Sequence, residues 1–169
     1  DNRVVLVNTF SKILSPGLRL GWMTGPEALI ARCETAKQSE DACSCSYSQV
    51  VAADYLAAGH VPVYTRKMRA IYGDKCRLTL ECLERDMPRG VSWSRPDGGF
   101  FVWVSLPENI DSEDLLRICL ERKVAFVTGA PFHADGRGQN KLRLAFSNSS
   151  REEITTGIAR LAEALRTML

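Results

Sequence analysis

No run of apolar residues in the 169-residue sequence approaches the ~18 that a membrane-crossing helix needs. A helical span is therefore excluded. Basic residues are not clustered: 22 Lys and Arg stand against 20 Asp and Glu, for a formal charge of +2. A nucleic-acid surface would show a basic stripe, so neither nucleic acid nor membrane is an expected partner. Histidine is scarce, with only His60 and His133. The pair Cys43-Ser44-Cys45 has no matching second pair, so no zinc pattern is present and no metal site is expected. The sequence opens on Asp1 rather than Met, shows no secretory leader and runs at once into Val4-Val5-Leu6-Val7. It reads as a fragment, a processed form or a section of a longer protein. A cytoplasmic location is expected, with a mitochondrial one left open.

Apolar residues make up 45% and charged residues 25%, enough for a core in a chain of one ordinary domain's length. The six cysteines are expected as reduced, buried thiols, because a free cysteine packs as a small hydrophobe. Val4–Asn8 and Leu18–Gly25 read as buried strands around a polar turn ending in Pro16-Gly17. Pro26 opens a helix with Leu29, Ile30 and Cys33 on its apolar face. Ser39–Ser46 reads as a loop and Gln49–Ala58 as a helix closed by Gly59. Tyr64, Met68, Ile71, Tyr72, Cys76, Leu80 and Leu83 recur at helical spacing in a long helix from about Val61 to Met87.

Beyond it, Val91–Trp93 and Gly99–Leu106 read as strands joined through Pro96-Asp97-Gly98. Asp111–Lys123 reads as a helix with Leu115, Leu116, Cys119 and Leu120 inward. Val124–Val127 and Lys141–Ser147 read as strands around the glycine-rich loop Gly129–Asn140. Ser150-x-x-Glu153 spells a capping box and opens a last helix with Ile154, Ile158, Leu161, Leu165 and Met168 on one face. The expected class is α/β. Residues 1–58 read as the edge of an α/β domain, and residues 59–169 as an α+β domain of helices on a mainly antiparallel sheet.

Chemistry concentrates in Thr9-Phe10-Ser11-Lys12-Ile13-Leu14-Ser15-Pro16-Gly17-Leu18-Arg19-Leu20-Gly21-Trp22. A lysine ends a strand beside small hydroxyls, with an arginine seven positions on. Among apolar groups and near cations, a lysine sheds its proton more readily and becomes an amine nucleophile. Thr9 and Ser11 can donate to phosphate oxygens, and Arg19 offers them a two-pronged charged contact. On residue types alone, a surface lysine in a polar turn fits the same string.

The string as a whole resembles the lysine motif of the class I/II aminotransferases, the fold type I enzymes that use pyridoxal phosphate (PLP). That pattern is approximately Ser/Thr-x-Ser-Lys, a short spacer, then Pro/Ser-Gly-x-Arg-x-Gly, and every element stands here in order. Asn8, where many members have Gly, favours the aromatic, kynurenine and α-aminoadipate branch. Pro96-Asp97-Gly98-Gly99-Phe100-Phe101-Val102-Trp103 resembles the family's Pro-x-Gly-Gly-x-Phe-x-Trp strand. Thr128-Gly129-Ala130-Pro131-Phe132 more loosely resembles its Pro-Gly-x-x-Phe loop.

The resemblance implies that Lys12 holds PLP as a Schiff base and that Thr9, Ser11 and Arg19 serve its phosphate. It further implies that residues 1–58 belong to the large domain and 59–169 to the small domain. The family's earlier part would supply the partner of the pyridinium nitrogen and the aromatic stacked on the ring. The implied reaction moves an amino group between an amino acid and a 2-oxo acid in a homodimer. Alternatives on the same fold are a PLP-binding domain of a transcriptional regulator, and a PLP lyase or acyl transferase.

Family members place an arginine for the substrate α-carboxylate where this chain has Arg143, in Lys141-Leu142-Arg143-Leu144. The planar guanidinium fork suits a carboxylate. Alternation puts Arg143 on the strand face opposite Leu142 and Leu144, which also fits an outward arginine on an edge strand.

Overall fold

A computed structural model describes residues 3–169. Asp1 and Asn2, where the expected large-domain segment begins, lie outside the described residues. The element order is β1 (Leu6–Thr9), β2 (Gly21–Thr24), α1 (Glu27–Glu40), α2 (Ser46–Ala57), α3 (His60–Asp86), β3 (Ser92–Trp93), β4 (Phe101–Ser105), α4 (Ser112–Glu121), β5 (Val127–Thr128), β6 (Lys141–Ala145) and α5 (Arg151–Arg166). Short 3-10 turns fill Pro16–Leu18 and Ala130–Phe132. The chain divides into two compact units, Asp1–Met68 and Arg69–Leu169.

In the first unit, β1 and β2 form an antiparallel pair with Leu6 opposite Thr24 and Thr9 opposite Gly21. Gly21 is required at the turn mouth, because a Cβ there would lie 2.9 Å from the carbonyl oxygen of Asn8. The sequence led us to expect buried strands, but both are exposed along their length. Val7 stands 67% exposed. Among the described residues this ribbon has no third strand to pair with, and no helix buries its faces. Leu29 and Cys33 are likewise exposed rather than forming a packed face, and α1 buries no side chain.

In the second unit, a four-stranded sheet runs in the order β3-β4-β6-β5, every pairing antiparallel. The register sets Val102 opposite Leu144 and Val104 opposite Leu142, so these four share one face. That face packs against Cys82 and Leu83 of α3, Leu115 and Cys119 of α4, and Ile154, Ile158, Leu161 and Leu165 of α5. Burying each such large aliphatic side chain contributes about 1.5–3 kcal/mol, so this unit has a core of its own.

The capping box expected at α5 is present. Glu153 N–H donates to Ser150 Oγ at 3.1 Å, and Ser150 N–H donates to Glu153 Oε2 at 2.6 Å. Asp111 caps α4 through the Glu113 N–H at 2.7 Å. Leu115 and Cys119 are inward as expected, but Leu120 is 55% exposed. It lies about 140° around the helix from Leu115, at 100° per residue, beyond the buried stripe.

Two other expectations are corrected. Val124–Phe126 is not strand. Val124 N–H donates to Cys119 O and Lys123 N–H to Leu120 O, with Lys123 left-handed at φ 60°. This closes α4 as a Schellman turn, so β5 begins only at Val127. The thiols are all free, but only Cys82 and Cys119 are buried; Cys33, Cys43 and Cys45 are exposed and Cys76 is intermediate. Among the described residues, no helix is long and apolar enough to cross a membrane.

Candidate functional site

The β1–β2 connection gathers four of the five candidate residues on one hairpin. Phe10 N–H donates to Leu20 O at 3.0 Å, extending the strand pairing past Thr9. Phe10 O then accepts from Leu14 N–H at 2.8 Å, so residues 10–14 make a single helical turn with Lys12 on it. Lys12 is exposed. The apolar enclosure expected around this lysine is not found among the described residues of this unit.

Thr9 Oγ1 stands 2.9 Å from Ser11 Oγ and 3.2 Å from Leu20 O, and it accepts the Ser11 N–H at 3.1 Å. Asn8 Oδ1 accepts the Thr9 N–H at 2.8 Å. The two hydroxyls are thus tied to each other and to the returning strand, one residue after Arg19. Ser15 Oγ caps the Pro16–Leu18 turn through Gly17 N–H. Arg19 follows in the left-handed region, φ 53° and ψ 40°, a conformation that costs a non-glycine residue roughly 1–2 kcal/mol. Its Nη1 donates to Pro16 O at 3.2 Å. Leu20 beside it is buried and anchors the strand.

No acidic residue occurs from Asn8 to Trp22. One amine, one guanidinium and two hydroxyls on an acid-free turn make a donor set matched to an anion carrying a carbonyl. A concavity of about 550 Å³ beside the hairpin, lined by Phe10, Leu20, Gly21, Gln49 and Ala52 among others, includes neither Lys12 nor Arg19.

Arg143 lies in the second unit. Its strand β6 is paired on both sides, by β4 and by β5, so the edge-strand placement does not apply. Register sets Arg143 opposite both Trp103 and Val127, on the sheet face away from the core. Its guanidinium carbon lies 4.0 Å from the Phe101 ring centroid and 4.8 Å from that of Phe132. Trp103 meets Phe132 edge-on at 5.4 Å. Arg143 Nε is buried with no hydrogen-bond partner among the described residues. An unsatisfied buried donor costs about 1–3 kcal/mol, more when charged, and it marks a place where an acceptor belongs.

Nothing in the sequence alone marks Phe101, Trp103 and Phe132 as neighbours of Arg143. Alternation along β4 places Phe101 and Trp103 together, but which strand pairs with β4 is a non-local fact. Thr9, Ser11, Lys12 and Arg19 therefore form one group and Arg143 with its rings another.

The comparisons with known proteins agree with this architecture. The model of aminotransferase class I and II matches residues 1–161. The aromatic-amino-acid aminotransferase 1 of Thermococcus litoralis is 40% identical over 166 residues, 98% of this chain and 40% of that protein. The crystal structure of Pyrococcus horikoshii kynurenine aminotransferase, in complex with PMP, KYN as substrates and KYA as products, superposes with a TM-score of 0.97. It is 41% identical and covers 100% of this chain and 42% of its own. An uncharacterised HTH-type transcriptional regulator of Bacillus subtilis, YdfD, is 34% identical over 161 residues, 95% of this chain and 33% of its own length. The chain belongs to the class I and II aminotransferase family, and it spans about two fifths of the enzymes it matches.

Proposed function

We propose that the protein carrying this chain is a PLP-dependent aminotransferase that moves an amino group between an amino acid and a 2-oxo acid. The amino acid is of the aromatic, kynurenine or α-aminoadipate kind. Residues 1–58 would belong to the large domain and 59–169 to the small domain of a cytoplasmic homodimer. The observation that carries the reading is the hairpin, which sets Lys12, two mutually bonded hydroxyls and Arg19 on one acid-free turn.

The residues present fit the cofactor. Thr9 and Ser11 hydroxyls and the Arg19 guanidinium would hold its phosphate through charge-assisted hydrogen bonds. Lys12 Nζ would hold its carbonyl carbon. When bound, PLP supplies the carbonyl that captures an amino group and the ring that draws off the electrons left at the α-carbon. Lys12, freed by the incoming amine, would take the α-proton at Nζ as general base and deliver it to the cofactor's C4′ as general acid within the same half-reaction, and the second half-reaction would run that transfer backwards. Arg143 offers parallel N–H donors to the α-carboxylate, and its unpartnered Nε supports that role.

The similarity to YdfD supports a second reading, a PLP-binding domain that senses a ligand for a transcriptional regulator. Two measurements decide. The first is the absorbance of the PLP-loaded protein before and after borohydride. A band that reduction fixes, and that Lys12→Ala abolishes, is expected; a folded protein without that band rejects both readings. The second is steady-state turnover of L-phenylalanine, L-kynurenine and L-2-aminoadipate with 2-oxoglutarate. Turnover is expected for the enzyme, whereas a lysine-dependent band without turnover leaves the regulator.

A further inference from the structure

We propose that Phe101 and Phe132 are positioning residues that hold the Arg143 guanidinium for a substrate carboxylate without neutralising it. The proposal rests on the reading of Arg143 given above.

An arginine that must bind a carboxylate faces a conflict. A long side chain needs neighbours to fix it, and the usual neighbour is an acid. An acid would cancel its charge and occupy its donors. Aromatic faces avoid this, because the ring quadrupole attracts a cation while leaving the N–H donors free. Around Arg143 the rings are present and the acid is not. Two ring centroids lie 4.0 and 4.8 Å from the guanidinium carbon, and no ion pair or hydrogen bond reaches Arg143 from the described residues.

Each ring is itself held. Phe101 meets Phe100 edge-on at 6.2 Å, and Phe100 meets Tyr72 at 5.2 Å. Phe132 meets Trp103, the cross-strand partner of Arg143. The loop bearing Phe132 is locked to the strand bearing Arg143. Gly129 N–H donates to Lys141 O at 2.7 Å, and Phe132 N–H donates to Gly129 O at 3.0 Å. A Cβ on Gly129 would lie 2.6 Å from both Gly138 O and Lys141 Cβ, so the loop approaches the strand too closely to admit a methyl group there.

The rings are not committed to the core either. Phe101 is 39% and Phe132 48% exposed, on the face opposite Leu142 and Leu144. Two other segments, β4 and the turn at Ala130–Phe132, converge on the Arg143 side chain.

The test uses the full protein loaded with PLP, with 3-phenylpropanoate as probe, which carries a carboxylate and a ring but no amine. Its dissociation constant is measured by calorimetry. Arg143→Met is expected to weaken binding ~10²-fold. Phe132→Leu is expected to weaken it ~10-fold and Phe132→Tyr within about 2-fold, because only the latter keeps a ring. In Phe132→Leu/Arg143→Met the second change should add nothing to Arg143→Met alone. Phe101→Leu, on the other ring, should follow Phe132→Leu. The Arg143 Nε–H resonance reads the contact without any ligand. It should shift in both leucine variants and stay in Phe132→Tyr, whereas a merely structural loop effect would move all three alike.

A full additive effect of Phe132→Leu in the Arg143→Met background, with Arg143→Met itself damaging, overturns the positioning role and leaves the carboxylate role of Arg143 standing. An Arg143→Met variant that binds the probe as tightly as the parent overturns both.

Discussion

Among the described residues of Asp1–Met68, only Leu20, Ser48 and Ala52 are buried, whereas Arg69–Leu169 encloses a continuous core from Cys82 to Leu165. The two units hold their candidate residues by opposite means. Thr9, Ser11 and Arg19 depend on local hydrogen bonds and one left-handed residue. Arg143 depends on a strand paired on both sides and on rings brought in from two other segments. Sequence-local sites of the first kind are written in a motif, while sites of the second kind exist only once the sheet has assembled.

Changes that separate chemistry from stability test this contrast most strongly. Lys12→Ala is expected to lower turnover at least ~10³-fold with the thermal midpoint of the cofactor-free protein unmoved, because Lys12 is exposed. A parallel loss of stability would mean the hairpin is held through its lysine. Next in size, Leu115→Ala or Leu165→Ala should cost about 2–5 kcal/mol in denaturant unfolding, against no more than about 0.5 kcal/mol for Val7→Ala. Equal costs would erase the difference between the units.

Gly129→Ala should cost about 1–3 kcal/mol through overpacking against Gly138 and Lys141, read by the same titration. The smallest effect is at the α5 cap. Hydrogen bonding from the Ser150 backbone holds the Glu153 carboxyl below the usual glutamate range. A lowered folded-state value means the contribution is fully present above that range and is lost as pH falls below it through the folded-state value. The small stability advantage over Glu153→Gln should therefore exist at neutral pH and vanish in acid, as thermal midpoints at several pH values will show.

Legibility from sequence followed the same division. The last helix was readable because its cap and its apolar stripe state the same boundary, and Ser150, Glu153 and Ile154 all do what their spacing implies. The turn that separates Lys12 from Arg19 was readable from Pro16-Gly17. The exposure of β1 and β2 was not, since apolar content at Val4–Val7 reports what a strand is able to bury and not whether a neighbour exists. The strand expected at Val124 failed because Lys123 takes the left-handed position that glycine usually signals. Arg143 was placed on the correct face by alternation, yet Phe101, Trp103 and Phe132 around it required the pairing of β4 with β6 across some forty residues.

The uneven distribution of thiols gives the molecule a built-in clock. Cys45 is exposed, and hydrogen bonds from Ser48 at the start of α2 lower its thiol. With Cys33 and Cys43 it will alkylate in the folded chain. Cys119 is enclosed, and burial pushes its thiol up to about 11. Its labelling, like that of Cys82, waits for the second unit to open. A mass spectrum taken at intervals during alkylation therefore separates fast additions at the three exposed thiols from slow ones at Cys82 and Cys119, with half-exposed Cys76 between them. The slow ones time the opening of the second unit's core, with no probe introduced and no residue replaced.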